Sequence, residues 1–518
     1  MAETLLKGEW LGEYNYLTLI RLPVYSFFLA LNSWVGWPLH VSQQGLYLLS
    51  ILVLAAALRT CQLSRLQAVL VFAICAFHPI ALYPNLFVAT EAIYTSLTTG
   101  VLAGCLGLLG SIGGSTVIYS VWLIVTSFCL AAFWYTRPEA IWMLPVLGIF
   151  VLLLFLRARQ TCSSQSMRVS LVRIALALAV PAITTLSLGW TIASLNERYY
   201  GIRVTHELAE PNFVDLGRGL TRLAPQSRKP YIPVPSEALQ IADKVSPHTA
   251  MLKPFLSQQT GGKGWSEFGC DMMGICDELV GGWSMWALRD AVNSIGYYGS
   301  AKQASAFYRA AANEMATACK EGKIRCSGNP TGNLLAPAII FGDSARLLKS
   351  FWRMSVHALT FKDIADKDIA EGFSVINKME ALPELVKRYE HITHDQNPQP
   401  LWKMGLIRFH FTIYTWIQLI GVGMLIIRLP WNLVRGPWHQ NGDTIPESRA
   451  PSAYGTVAIL ALALIGSRIA LVSYIDAMSF PAQLRYLFVI YPALMTLAIT
   501  AFPMPLLLKQ NVIQKLKK

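Results

Sequence analysis

Apolar residues in this chain come in long runs with few charges, not at the three-to-four-residue spacing of a half-buried helix. Such runs cover residues 44–58, 66–83, 89–109, 117–135, 140–156 and 169–195, and, after a long polar interval, 406–427, 454–472 and 484–502. Their lengths approach the roughly 20 apolar residues that carry a helix across a bilayer, so the pattern predicts about nine membrane-spanning helices. Residues 1–20 are polar and aromatic and read as neither a signal peptide nor a span. Residues 21–31 are apolar but soon meet Trp34, Gly36, Trp37 and Pro38, which predicts a juxtamembrane or re-entrant helix instead of a full crossing.

The polar interval divides the chain into an N-terminal membrane block (1–195), a soluble insert (196–400) and a C-terminal membrane block (401–518) with a basic tail. The insert opens with prolines 225, 230, 233, 235, 247 and 254, which do not suit long helices. Gly261-Gly262-Lys263-Gly264 follows no buried strand and reads as a plain turn, not a phosphate loop. Residues 283–294 and 301–319 read as amphipathic helices, the second starting after Ser300 and stopping at Gly322, with Phe307, Ala311, Met315 and Ala318 as its core stripe. A third helical region is expected at 364–392, making the insert α-rich. The segment Gly281–Asp290 has two readings: packing of Trp283 and Trp286 with an Arg289–Asp290 ion pair, or an aromatic face for a sugar.

Composition sharpens the class. Of 518 residues, 54% are hydrophobic and 14% charged, against about 25% charged in an average soluble domain. Mean hydropathy is +0.42. The net charge of +13 is therefore read as loop charge that sets topology, not as a nucleic-acid surface. Arg59 and Arg65 form one basic cluster, Arg157, Arg159 and Arg168 a second, Arg428, Arg435 and Arg449 a third, and Lys509, Lys515, Lys517 and Lys518 a fourth. Alternating the spans puts all four on one face, the cytoplasmic one. The insert and the 137–139 corner are then non-cytoplasmic, as in a bacterial inner-membrane protein with a periplasmic domain. Cys61, Cys75, Cys105, Cys129 and Cys162 lie in or beside apolar runs and read as small hydrophobes. Cys270, Cys276, Cys319 and Cys326 form two close pairs in the insert and read as disulfides Cys270–Cys276 and Cys319–Cys326. Zinc is the rival, but neither pair is C-x-x-C and no histidine is near, so no metal or other cofactor is expected.

The chemistry concentrates where two apolar runs meet, at Phe133-Trp134-Tyr135-Thr136-Arg137-Pro138-Glu139. Ionisable groups at membrane depth are costly and usually face a polar cavity or a partner; the bland alternative is a hairpin whose charges reach headgroups. With this corner, three other stretches resemble the integral-membrane glycosyltransferases of the GT-C fold, which include protein O-mannosyltransferases and aminoarabinose transferases. They are TLIRLPVYSFFLAL (18–31), ATEAIY (89–94) and RYLFVIYP (485–492).

The resemblance spans roughly the membrane blocks. It implies transfer of a sugar from a polyprenyl-phosphate carrier to an extracytoplasmic acceptor. That chemistry needs a carboxylate to orient or deprotonate the acceptor hydroxyl and cations to stabilise the departing phosphate, for which the arginine fork is suited. Arg485, Arg21 and Arg137 are the candidate phosphate ligands, and Glu91 and Glu139 the candidate catalytic acids. In the class the catalytic aspartate precedes the juxtamembrane stretch. This chain has no aspartate before Asp215, and is expected to lack the first helix and catalytic loop. The alternative is therefore a non-catalytic GT-C-like subunit that binds lipid carrier or joins an envelope complex. A transporter ranks third, since the runs show no paired half-helices.

Overall fold

The computed structural model describes residues 1–82, 88–160, 164–223, 229–328, 332–361, 401–434 and 453–502. The expected helix at 364–392, Cys162, Arg435, Arg449 and the four terminal lysines lie outside them. Among the described residues, seven helices are long and apolar enough to cross a membrane. They are Leu39–Thr60, Thr90–Ser111, Thr116–Trp134, Pro138–Arg159, Arg168–Tyr200, Arg408–Arg428 and Tyr454–Met478. The protein is a multi-pass helical membrane protein.

Two expected spans are shorter than their apolar runs. The run at 66–83 is cut after Arg65–Ala76, where Phe77 caps the helix and Pro79 begins a new one, Pro79–Leu82. A proline has no N–H to continue the ladder, so it suits a first turn better than an interior. The run at 484–502 divides into a tighter 3-10 segment, Leu484–Ile490, and the α-helix Tyr491–Ala501 with Pro492 in its first turn. The 21–31 stretch gives the short helix Val24–Val35.

The chain packs as two units. One comprises Phe28–Ser187, Ser355–Ile469 and Leu484–Lys518. Its centre is Thr90–Ser111, buried along nearly its whole length. Small residues make that burial possible. A Cβ on Gly104 would lie 2.9 Å from the Thr126 Cα, and one on Gly107 would lie 2.0 Å from the Trp122 ring. The Thr116–Trp134 helix is thus seated directly on a glycine stripe, as small residues permit between membrane helices. Arg173 closes the other end of the central helix: its guanidinium donates to the Ile112 carbonyl at 2.6 Å and to Thr116 Oγ1 at 3.0 Å. Carbonyls at a helix C-terminus lack intrahelical donors, and a cation satisfies them.

The other unit comprises Met1–Phe27, Leu188–Met354 and Ala470–Gln483. Its described residues are mostly helical, with one hairpin, Gly332–Asn333 with Ala336–Pro337, and an isolated bridge between Leu223 and Cys326. Short helices follow the prolines, among them Pro211–Arg222 and Ser236–Val245. Trp283–Ser294 and Ala301–Lys320 supply half of the main core, and Phe307, Ala311, Met315 and Ala318 are all buried. Ser300 caps the second of these helices, its Oγ accepting from the Gln303 N–H. Disulfides Cys270–Cys276 and Cys319–Cys326 close two small loops. The amino-terminal segment packs into this unit: the Trp10 indole donates to Asn196 at 2.7 Å, and the Tyr200 hydroxyl donates to the Gly12 carbonyl at 2.8 Å.

Arg289 does not pair with Asp290. Adjacent helical residues point about 100° apart and do not face one another. Arg289 instead reaches the Glu207 carboxylate at 2.6 Å, fully buried, and also donates to the Tyr16 carbonyl. Tyr298 and Tyr308 donate to the same carboxylate. Burial opposes the Arg289 charge, but Glu207 more than offsets it, so its pKa lies above the ordinary arginine value. Asp290 accepts from the Trp265 indole at 2.9 Å. Trp265 stacks on both Trp283 and Trp286, so these rings spend their faces on one another.

Candidate functional site

The site lies within the unit that holds Thr90–Ser111. Glu91 occupies the first turn of that helix, where unpaired backbone N–H groups favour negative charge. Arg137 follows the Thr116–Trp134 helix and is extended, at φ −142° and ψ 140°. The residue before a proline is pushed to this region by the proline ring. Pro138 then opens the 3-10 segment Pro138–Met143, which carries Glu139 in its first turn. The break between two apolar helices thus turns Arg137 back toward the start of the central helix.

Arg137 bridges both acids. Its Nη1 is 2.7 Å from Glu91 Oε1 and its Nε is 2.5 Å from Glu139 Oε1. The guanidinium also lies over the rings of Tyr94 and Tyr486, 5.7 and 5.6 Å from their centroids, where the ring quadrupole attracts it. Arg485, in the Leu484–Ile490 segment, approaches Glu91 at 3.8 Å with its side chain half exposed. Arg468 approaches Glu139 at 3.9 Å and is only 2% exposed. The result is a row of alternating charge, Arg485–Glu91–Arg137–Glu139–Arg468. Three guanidiniums against two carboxylates leave one net positive charge.

Arg468 has no counterpart among the residues singled out from sequence. It sits inside the Ala453–Met478 helix, and a lone arginine within an apolar run is itself a signal, because charge at membrane depth is costly and seldom idle. Its Nε donates to the Tyr486 carbonyl at 2.8 Å, and its guanidinium lies over Tyr94 and Trp142. Its Nη1 is buried without a hydrogen bond. A buried donor of that kind carries a desolvation penalty that a ligand oxygen can relieve. The aromatic frame is itself fixed: the Trp142 indole donates to Tyr94 Oη at 2.9 Å, and Tyr94 stacks on Phe133.

Of the residues expected from sequence, Glu91, Glu139, Arg137 and Arg485 meet in this row. Arg21 belongs to the other unit, exposed and just before the Val24–Val35 helix. The four insert cysteines form the two disulfides. Among the described residues, no group of three histidine, cysteine or acidic side chains is placed to hold a metal ion. No protein-family model, curated protein or solved structure matches the chain.

Proposed function

We propose that this is a GT-C-like membrane glycosyltransferase that takes a sugar from a polyprenyl-phosphate carrier at the Arg485–Arg468 row and passes it to an extracytoplasmic acceptor. The observation that carries the reading is the row's surplus of guanidinium donors at the end of membrane helices. Arg485 is half exposed, and Arg468 has an unspent buried donor. A lipid phosphate presents several acceptor oxygens that match such forks. As the sugar–phosphate bond breaks, charge grows on the phosphate, and fixed cations stabilise it. Glu91 and Glu139 hold Arg137 in place, and either carboxylate can orient an acceptor hydroxyl. The insert's disulfides fit an oxidising compartment, in keeping with a bacterial inner-membrane protein whose insert is periplasmic.

One observation favours a second reading. Both carboxylates are engaged by Arg137 at hydrogen-bond distance, which suits orientation of a cation better than proton abstraction. In that reading the protein binds the carrier without turning it over, as a subunit of an envelope complex. The test is sugar transfer by the reconstituted protein supplied with polyprenyl-phosphate-linked sugars. The transferase reading expects turnover that falls about ten- to a hundredfold in Arg485→Ala, the loss of one charge-assisted hydrogen bond. Carrier binding without turnover selects the second reading. Turnover unchanged by Arg485→Ala removes the phosphate assignment.

A further inference from the structure

The unit that includes Leu188–Met354 and Ala470–Gln483 carries an exposed apolar surface apart from the charge row. Phe341 is 95% exposed, and Ile339 and Ile340 beside it are more than half exposed. The helix Ser344–Thr360 follows. In its first turns Leu348 and Trp352 are 70% and 71% exposed, with Phe351 beside them. Leu348, Phe351 and Trp352 stand three and four residues apart and so form one outward strip. Lys349 and Arg353, also exposed, flank it. The opposite side of the helix is buried at Ser350 and Met354. Contiguous exposed apolar surface of this kind, with Phe341, Leu348 and Trp352 the most open, marks a protein or membrane contact.

The buried side of the helix ties it to the end of a long apolar helix. Ser350 Oγ donates to Asp476 Oδ2 at 2.5 Å and lies 3.1 Å from the Ser473 carbonyl, and Arg353 pairs with Asp476. The segment before the helix is tied to the same place: Ser479 Oγ donates to the Leu335 carbonyl at 2.6 Å, and Ala336 packs on Ala477 and Met478. Residues 473–478 are the last turns of the Tyr454–Met478 span. At ~1.5 Å per residue these 25 residues reach about 37 Å, beyond the ~30 Å of bilayer hydrocarbon. A span of that length centred in the bilayer would bring its final turn to the headgroup level, where the Asp476 carboxylate is tolerable. An element stapled to that turn would share its depth.

We propose that Ile339–Phe341 and the Leu348–Trp352 strip form an in-plane interfacial element that rests on the lipid bilayer. Its apolar side chains enter the headgroup–acyl boundary, and Lys349 stays at the phosphate level. This is the arrangement expected of an amphipathic helix with aromatic and aliphatic residues on one face and cations at its edge. The proposal needs the chain to span a membrane, but not that it transfers sugar.

The test is spin-label depth measurement on the full chain in phospholipid nanodiscs. Nitroxides are attached at Phe341→Cys, Leu348→Cys and Trp352→Cys, with Lys323→Cys as a water-exposed control. Signal from the native free cysteines is subtracted using the unsubstituted protein. The three strip positions should collide with oxygen severalfold more, relative to a water-soluble nickel reagent, than the Lys323 position does. Strip labels as open to nickel as the control would overturn the proposal. So would labels shielded from both reagents and broadened by a second nitroxide, which would make the face a contact between copies of the chain.

Discussion

Replacing Arg137 with methionine removes the one cation within hydrogen-bond distance of both Glu91 and Glu139, while keeping the length of its stem. Arg137 and Glu91 are 16% and 12% exposed, so water repairs little of the loss. Removing one partner of a buried ion pair typically costs about 3–5 kcal/mol, because the other charge is left without compensation. Here two carboxylates are stranded at once. Arg485 and Arg468 remain 3.8 and 3.9 Å away, too long for a hydrogen bond but close enough for a partial Coulomb offset. The expected cost is therefore about 3 kcal/mol, the low end of that range. Reversible unfolding in mixed micelles, titrated with a denaturing detergent, measures it directly. The triple variant Arg137→Met/Glu91→Gln/Glu139→Gln should regain more than half of the loss, since its carboxamides carry no charge to strand. Arg137→Met within about 1 kcal/mol of the parent, or a triple variant no better than the single one, would refute the reasoning.

Arg289→Met strands the buried Glu207 carboxylate and should cost about 3–5 kcal/mol, with Glu207→Gln added as the rescue; a neutral single variant in chemical denaturation would contradict the buried pair. His206 gives a pH signature, because burial lowers its pKa from 6.5 to about 4. The unfolded imidazole gains its proton as pH falls through 6.5, whereas the folded one waits until about 4. Stability should be complete above pH 6.5 and decline by at most about 2–3 kcal/mol toward pH 4, and His206→Gln should flatten that slope in melting curves. Each disulfide closes a short loop, six and seven residues in separation, so Cys270→Ser/Cys276→Ser should lose about 2 kcal/mol. Peptide mapping without reductant should recover both pairs linked, and free thiols at all four positions would argue against an oxidising location for the insert.

Much of the fold could be read in the sequence because apolar runs answer to length alone. Thr90–Ser111, Thr116–Trp134 and Ala453–Met478 fall where their runs do. The two runs that shortened did so at Pro79 and at Tyr491-Pro492, where backbone chemistry overrides hydropathy. The cysteine pairs were visible in their spacing. Side-chain partnership was not. Arg289 is next to Asp290 in sequence, yet its partner Glu207 is 82 positions away. Arg468 stands alone in an apolar run and meets Glu139 only through tertiary packing. A run of hydropathy says that a charge there is costly, but it does not say which distant charge meets it. The Arg137–Glu139 corner was visible because both charges interrupt one boundary, and its third member, Glu91, only through the resemblance that the ATEAIY stretch carries.

The most direct test of the central claim is equilibrium binding of polyprenyl monophosphate to the full chain in nanodiscs, with the dephosphorylated polyprenol of equal chain length as reference. The charge row predicts that the phosphate form binds more tightly. That preference should fall about tenfold or more in Arg485→Ala, consistent with loss of a charge-assisted hydrogen bond of about 1.5–3 kcal/mol, while polyprenol binding stays unchanged. Equal affinity for the two lipids, or a phosphate preference that Arg485→Ala leaves intact, would contradict the assignment.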